Sequence, residues 1–180
     1  MKLESQIGQD EFVLEQLKNK KNGFFIDIGS GHPIKINNTV ALEKYYEWDG
    51  LSFDYGPPYA HAIGEVTLKE FIEFWEQNRN TKVITGDARN HDFKKIFESN
   101  NVPKIIDYLT VDLEPPSVTF EVLKLIPFDE YQFRVITFEH DFYRQPNTRE
   151  PSREFLKSYG YKLIKEVKNQ EDWYIKEDLL

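Results

Sequence analysis

The chain has 180 residues, 39% hydrophobic and 15% aromatic, with no cysteine and a formal net charge of −8. That length fits one domain spanning residues 1–180, and no apolar run approaches the roughly 20 residues that a membrane-spanning helix requires. The lack of cysteine excludes disulfides, thiolate metal sites and cysteine nucleophiles, and the acidic balance with scattered lysines argues against a phosphate-backbone partner. No charged-then-apolar leader opens the chain, so the expectation is a soluble cytoplasmic protein with neither nucleic acid nor membrane as partner.

Apolar residues at Phe12, Val13, Leu14 and Leu17 predict a helix over 9–20 within an N-terminal segment, 1–22, that covers one edge. Gly23-Phe24-Phe25-Ile26-Asp27-Ile28-Gly29-Ser30-Gly31 follows. Its apolar run reads as a buried strand, Asp27 sits near the carboxyl end, and Gly29 and Gly31 leave room for a ligand to approach backbone. The third glycine of a dinucleotide fingerprint is missing, since Pro33 and Ile34 stand there. Asn37 or Asn38 is placed to cap a helix through Glu47 with Val40 and Leu42 inward. Leu51 to Asp54 reads as a second strand, and Gly56-Pro57-Pro58 as a turn.

Thr67 and Glu70 have capping-box spacing ahead of a helix whose Leu68, Phe71, Ile72 and Trp75 share one face, expected in the core. A third strand over 82–85 runs into Gly86-Asp87-Ala88, and 92–98 forms a short helix. Ile105 to Leu113 is the second strong apolar run, closing at Asp112 and Glu114 before Pro115 and Pro116, with Ser117 as the expected cap of the next helix. Strand 133–138 ends at Glu139-His140-Asp141, a helix covers 152–159, and strands 161–164 and 173–175 are close enough to form a hairpin. Five strand–helix units and a terminal hairpin predict an α/β fold: a three-layer, Rossmann-like sandwich on a seven-stranded, mostly parallel sheet with an antiparallel C-terminal hairpin strand.

Six motifs in order carry a resemblance: Ser5-Gln6-Ile7-Gly8-Gln9-Asp10, Phe25-Ile26-Asp27-Ile28-Gly29, Asn38-Thr39, Trp48-Asp49-Gly50-Leu51, Ile106 to Glu114, and Ile136-Thr137-Phe138-Glu139-His140. Together they resemble the FkbM family of S-adenosylmethionine-dependent methyltransferases over nearly the whole chain. The resemblance implies a class I methyltransferase fold, S-adenosylmethionine as cofactor, and an oxygen acceptor on a small molecule, sugar or glycan. Two positions differ from the family pattern: Glu114-Pro115-Pro116-Ser117 replaces Glu-Gly-x-Glu, and His32-Pro33 replaces a glycine.

For such a cofactor, Asp27 is the expected acceptor for the amino group, Gly29 and Gly31 the close backbone, Asp54 the partner of the ribose hydroxyls, and Asp87 with the Ala88 amide the adenine contact. Catalytic candidates are His140, by its ordinary pKa the preferred base, with Glu139, Asp112 and Glu114. Asp112, Glu139 and His140 form an alternative site for a divalent cation such as Mg²⁺, which is not expected because neighbouring acids are common without metal. Asn38, Tyr143 and Arg144 are the expected acceptor contacts, Arg144 for an anionic group; Tyr55, Tyr59 and Phe142 lie in loops on the same face. His32, His61 and His91 read as surface or loop residues without zinc spacing. Two other readings remain: a binding domain that has lost turnover, and an amino-methyltransferase, since Glu114-Pro115-Pro116 resembles that class's acceptor loop without its aromatic.

Overall fold

The structure, a computed structural model, describes residues 3–57 and 66–180. Pro58, Tyr59 and His61 lie outside them. Strands β1 (Phe24–Ile28), β2 (Asp49–Asp54), β3 (Lys82–Thr85), β4 (Ile105–Val111) and β5 (Gln132–Glu139) are parallel. The hairpin of β6 (Lys162–Val167) and β7 (Glu171–Ile175) follows, with β7 antiparallel to β5. The resulting order is β3-β2-β1-β4-β5-β7-β6. Lys168 and Asn169 both take left-handed backbone, φ 55° and 54°, which matches the twist a two-stranded hairpin needs.

Side chains alternate across the sheet with period two, so each buried strand feeds two apolar layers. Ile26, Ile28, Phe53, Leu109 and Ile136 pack on one side with Phe93 and Phe97 of α4 (Phe93–Ser99), Val122 and Leu123 of α5 (Pro116–Leu123) and Leu156 of α6 (Arg149–Ser158). Phe25, Tyr108, Val135 and Trp173 pack on the other with Phe12, Val13 and Leu14 of α1 (Gln9–Gln16) and Leu42 of α2 (Val40–Tyr46). The three layers are those the residue pattern predicts.

Several local expectations shift. α1 stops at Gln16, short of Lys20, because Lys18 and Asn19 turn left-handed at φ 53° and 56°. α3 (Leu68–Asn78) opens with the capping box, Thr67 and Glu70 exchanging hydrogen bonds, but Leu68 in its first turn is exposed while Phe71 and Trp75 are buried. α5 begins at Pro116 instead of being capped by Ser117, since proline's fixed φ suits the first helical position. Asn37, one of the two expected caps, accepts from the amides of Thr39 (3.0 Å) and Val40 (2.8 Å). His32 and His91 lie in loops, one of the two settings expected for them; His32 is buried, and His91 packs against Phe53 and Phe93.

Arg79, at the end of α3, ties these pieces together. Its buried guanidinium donates to Glu43 of α2 (Nε–Oε2 2.6 Å), the Pro33 carbonyl (3.2 Å), Asn37 Oδ1 (3.1 Å) and Thr39 Oγ1 (3.0 Å), with Trp75 stacked 5.1 Å away. Asn80 N and Thr81 Oγ1 satisfy the rest of the Glu43 carboxylate, both at 2.6 Å. Removing one partner leaves the other charge buried and uncompensated, so Arg79→Met should lower the unfolding free energy in urea titrations by about 3–5 kcal/mol. A loss below about 1 kcal/mol would mean that the network is no stronger than a surface pair.

Candidate functional site

The sheet order reverses between β1 and β4, and in open α/β sheets the crevice at the carboxyl ends beside such a switch is where ligands bind. A cavity of about 670 Å³ occupies that place, within the usual range of small-molecule sites, roughly 300–1,000 Å³. It is lined by Gly29 to His32 after β1, Phe53 to Tyr55 after β2, Gly86 to Arg89 after β3, Asp112 to Pro115 after β4, and Glu139 and Asp141 after β5. Gln6, Ile7, Gln170 and Glu171 close the side nearest β7.

The floor is backbone. Gly29 sits at φ 91°, its amide bound to the Phe53 carbonyl at 2.8 Å, and a Cβ there would lie 1.7 Å from the Asp112 carbonyl oxygen. A side chain is therefore barred by conformation and by space. Gly31, at φ 61°, would meet nothing within 4 Å and opens onto the cavity; its amide donates to Asp54 Oδ2 at 2.7 Å. Asp54 Oδ1 accepts from Gly56 N at 2.7 Å, so both oxygens are fixed by loop amides. His32 Nδ1 accepts from the amides of Ile34 (3.0 Å) and Lys35 (3.1 Å). In place of the glycine it thus organises the turn, and burial lowers its pKa.

Asp87 and Ala88 line the cavity as expected, but the Asp87 carboxylate caps the short 3₁₀ turn 88–90 and is gripped by Arg89 (Nη2–Oδ2 2.6 Å), which lowers its pKa. Asp27 is not among the lining residues. Its side chain accepts from Thr39 Oγ1 at 2.7 Å, and desolvation lifts its pKa to about 7, opposed by that bond and by Arg79. Direct contact with a cofactor amino group is therefore not its position here; it anchors the loop from beneath.

On the other half, Asp112 and Glu139 meet in the cavity wall. Burial raises both pKa values; Glu139 keeps its proton and Asp112 accepts the hydrogen bond. Glu139 Oε2 has no partner. Glu171 accepts from Gln9 Nε2 (2.6 Å) and Trp173 Nε1 (2.8 Å), and burial lifts its pKa to about 8. Glu114 and Asp141 both hold Arg144 Nη1, at 2.5 and 2.9 Å. Tyr143, 60% exposed, stands at the mouth.

Two further expectations are corrected, and one alternative is not assembled. His140 is 0% exposed and absent from the lining; its Nδ1 accepts from Phe142 N at 3.1 Å and its Nε2 lies 3.4 Å from Asp172, which Arg153 clamps from α6. It cannot reach an acceptor, and the Asp112–Glu139–His140 metal site is not assembled; among the described residues no group of three such side chains is arranged to hold a metal ion. Asn38 also misses the cavity, its amide bound to Thr110 Oγ1 at 3.1 Å. Arg144 lines it, but with two carboxylates on one nitrogen its charge is already spoken for. The sequence assigns no role to Arg79 and Glu171, whose partners Glu43 and Gln9 lie on distant elements, nor to Asp141, although its partner Arg144 is only three residues on.

The titration of this site has a definite sign. Asp27 and Glu171 bind protons more tightly folded than unfolded, so the stability they contribute when protonated is lost as pH rises through about 7 and 8. His32 and His91, with lowered pKa values, act oppositely but are mostly neutral in both states above pH 7. Stability should thus fall between about pH 7 and 8.5, with Glu171 and the still-protonated Glu139 carrying more of the loss than Asp27. Glu171→Gln should remove about 1 kcal/mol of that fall in denaturant titrations at the two pH values; an unchanged slope would refute the assignment.

Solved structures share this architecture. CalS11, a TDP-rhamnose 3'-O-methyltransferase of calicheamicin biosynthesis, aligns with TM-score 0.59 and 18% identity over 92% of this chain and 76% of its own. The O-methyltransferase NovP aligns at 0.57 and 10% over 94% and 78%. The MTase domain of METTL16 aligns at 0.56 and 15% over 91% and 64%. The likeness is one of fold: a seven-stranded class I methyltransferase sheet with an antiparallel C-terminal hairpin. No family model matches the chain, and no curated protein matches its sequence. No helix among the described residues is long and apolar enough to cross a membrane.

Proposed function

We propose that this chain is an S-adenosylmethionine-dependent methyltransferase of FkbM type that methylates a hydroxyl of a small molecule or glycan. The observation that carries the reading is the cavity at the β1–β4 switch, glycine-floored on one half and carboxylate-rich on the other. The residues suit the cofactor. Gly31 leaves open space against backbone, Asp54 is held at the cavity edge where ribose hydroxyls would lie, Ala88 offers a small surface for a base, and the acid excess favours a ligand bearing sulfonium and ammonium charges. When bound, that cofactor supplies an electrophilic methyl group on a cationic sulfur.

The chain's own part is positioning and proton removal. Holding an acceptor oxygen in line can supply up to ~7–11 kcal/mol of the barrier reduction. With His140 turned away, Asp112 is the group in the wall placed to act as base: burial raises its pKa, and in its unprotonated form it takes the acceptor hydroxyl's proton. Glu114 serves through Arg144, which it holds against Asp141. The acidic lining supports a small-molecule or sugar acceptor over nucleic acid.

Calorimetric titration should show S-adenosylmethionine and S-adenosylhomocysteine binding well below millimolar; no heat at millimolar ligand would overturn the reading. Asp112→Asn should keep that binding and slow transfer of labelled methyl by about 10²–10⁴-fold. A rate within threefold of wild type would remove Asp112 as base.

A further inference from the structure

The acceptor half of the cavity has a charge and an orphan atom that the methyltransferase reading leaves unused. Asp141 is 2% exposed, lines the cavity, and gives Oδ2 to Arg144, while Oδ1 is buried without a hydrogen-bond partner. A buried carboxylate oxygen without a donor is costly, more so for an ionised group. Its placement is rigid: the backbone is left-handed at φ 42°, the amide is bound to the Gln170 carbonyl at 2.9 Å, and the Asp141 carbonyl accepts from the amides of Arg144 (2.8 Å) and Gln145 (2.9 Å).

The surrounding charge does not balance. Arg144 is one cation shared by Glu114 and Asp141, with desolvation raising the Asp141 pKa and Arg144 opposing it, and the carboxyl groups of Asp112 and Glu139 line the same half. An anionic acceptor would meet net repulsion and an arginine already engaged. A neutral hydroxyl would satisfy Oδ1 but leave the excess charge. A cation would answer both, and the exposed ring of Tyr143, lining the same mouth, offers the π face that ammonium groups favour.

We propose that the acceptor carries a protonated amine, as an amino sugar does, which docks on Asp141 Oδ1 beside Tyr143 while a hydroxyl of the same molecule faces Asp112. The inference rests on the methyltransferase reading for the location of the cofactor half. The proposed contact is an anchor; the amine is held and the hydroxyl is the methylated group.

The test uses the complex with S-adenosylhomocysteine and a fragment library in matched triplets, each a primary amine, its N-acetyl form and the corresponding carboxylate, scored by ligand-observed NMR and ranked by titration. The amines should bind at least tenfold tighter than their acetylated partners, and the carboxylates should not bind. Asp141→Asn should erase the preference, Glu114→Gln should reduce it severalfold, and both should hold S-adenosylhomocysteine within twofold of wild type. Equal binding of amine and N-acetyl forms, selection of carboxylates, a preference that survives Asp141→Asn, or no fragment binding at all would overturn the proposal. If Asp141→Asn does not fold, the wild-type ranking and the Glu114→Gln response decide it. Failure of the wild-type chain to bind S-adenosylhomocysteine would instead overturn the underlying reading.

Discussion

One buried guanidinium holds the site in shape. Arg79 reaches from the end of α3 to the loop that leaves β1 and to the first turn of α2, joining segments that the sheet alone does not align. Through Thr39 it also reaches Asp27, so the strand that carries the glycine floor and the helix that covers it are set against each other by one polar cluster. Such a cluster is costly to desolvate, and its value is in geometry: an apolar replacement would fill the space but would not fix where the 29–39 loop runs.

The cavity divides into two chemistries along the β1–β4 seam. On the β1–β3 side carboxylates are fixed or capped: Asp54 by loop amides, Asp87 by Arg89. On the β4–β7 side they face one another, and the protein meets the repulsion by keeping protons on Glu139 and Glu171. That division supports a reading in which one half receives a standard cofactor and the other is shaped to a particular acceptor.

Much of this was legible in the sequence because it rests on local pattern. The apolar runs ending in Asp27, Asp112 and Glu139 predict parallel strands whose acids gather at one end, and the short Asn169-Gln170 connection predicts the reversed last strand. The residues misjudged were those whose role depends on direction. Strand-end residues alternate in facing, so Glu139 points into the cavity while its neighbour His140 is buried against Asp172, a difference that one step in register decides. Asp27 and Asn38 are likewise turned into the protein by partners elsewhere in the chain, Thr39 and Thr110. Arg79 was invisible for a related reason: an arginine at a helix end reads as a solvated charge until its partners on other elements are placed.

The near-contact between Gly29 and the Asp112 carbonyl has a consequence for how such a site changes over time. The seam between the two halves is made of backbone with no slack, so it fixes the distance between whatever each half holds, independently of side chains. Residues such as Tyr143, Asp141 and Arg144 lie beyond that seam, on the loop after β5. Substitutions there can retune which acceptor is taken without disturbing the frame that aligns it, whereas drift at Gly29 would deform both halves together. Variation within a lineage of this fold should therefore accumulate on the β5 loop first, with the glycine floor the last part to move.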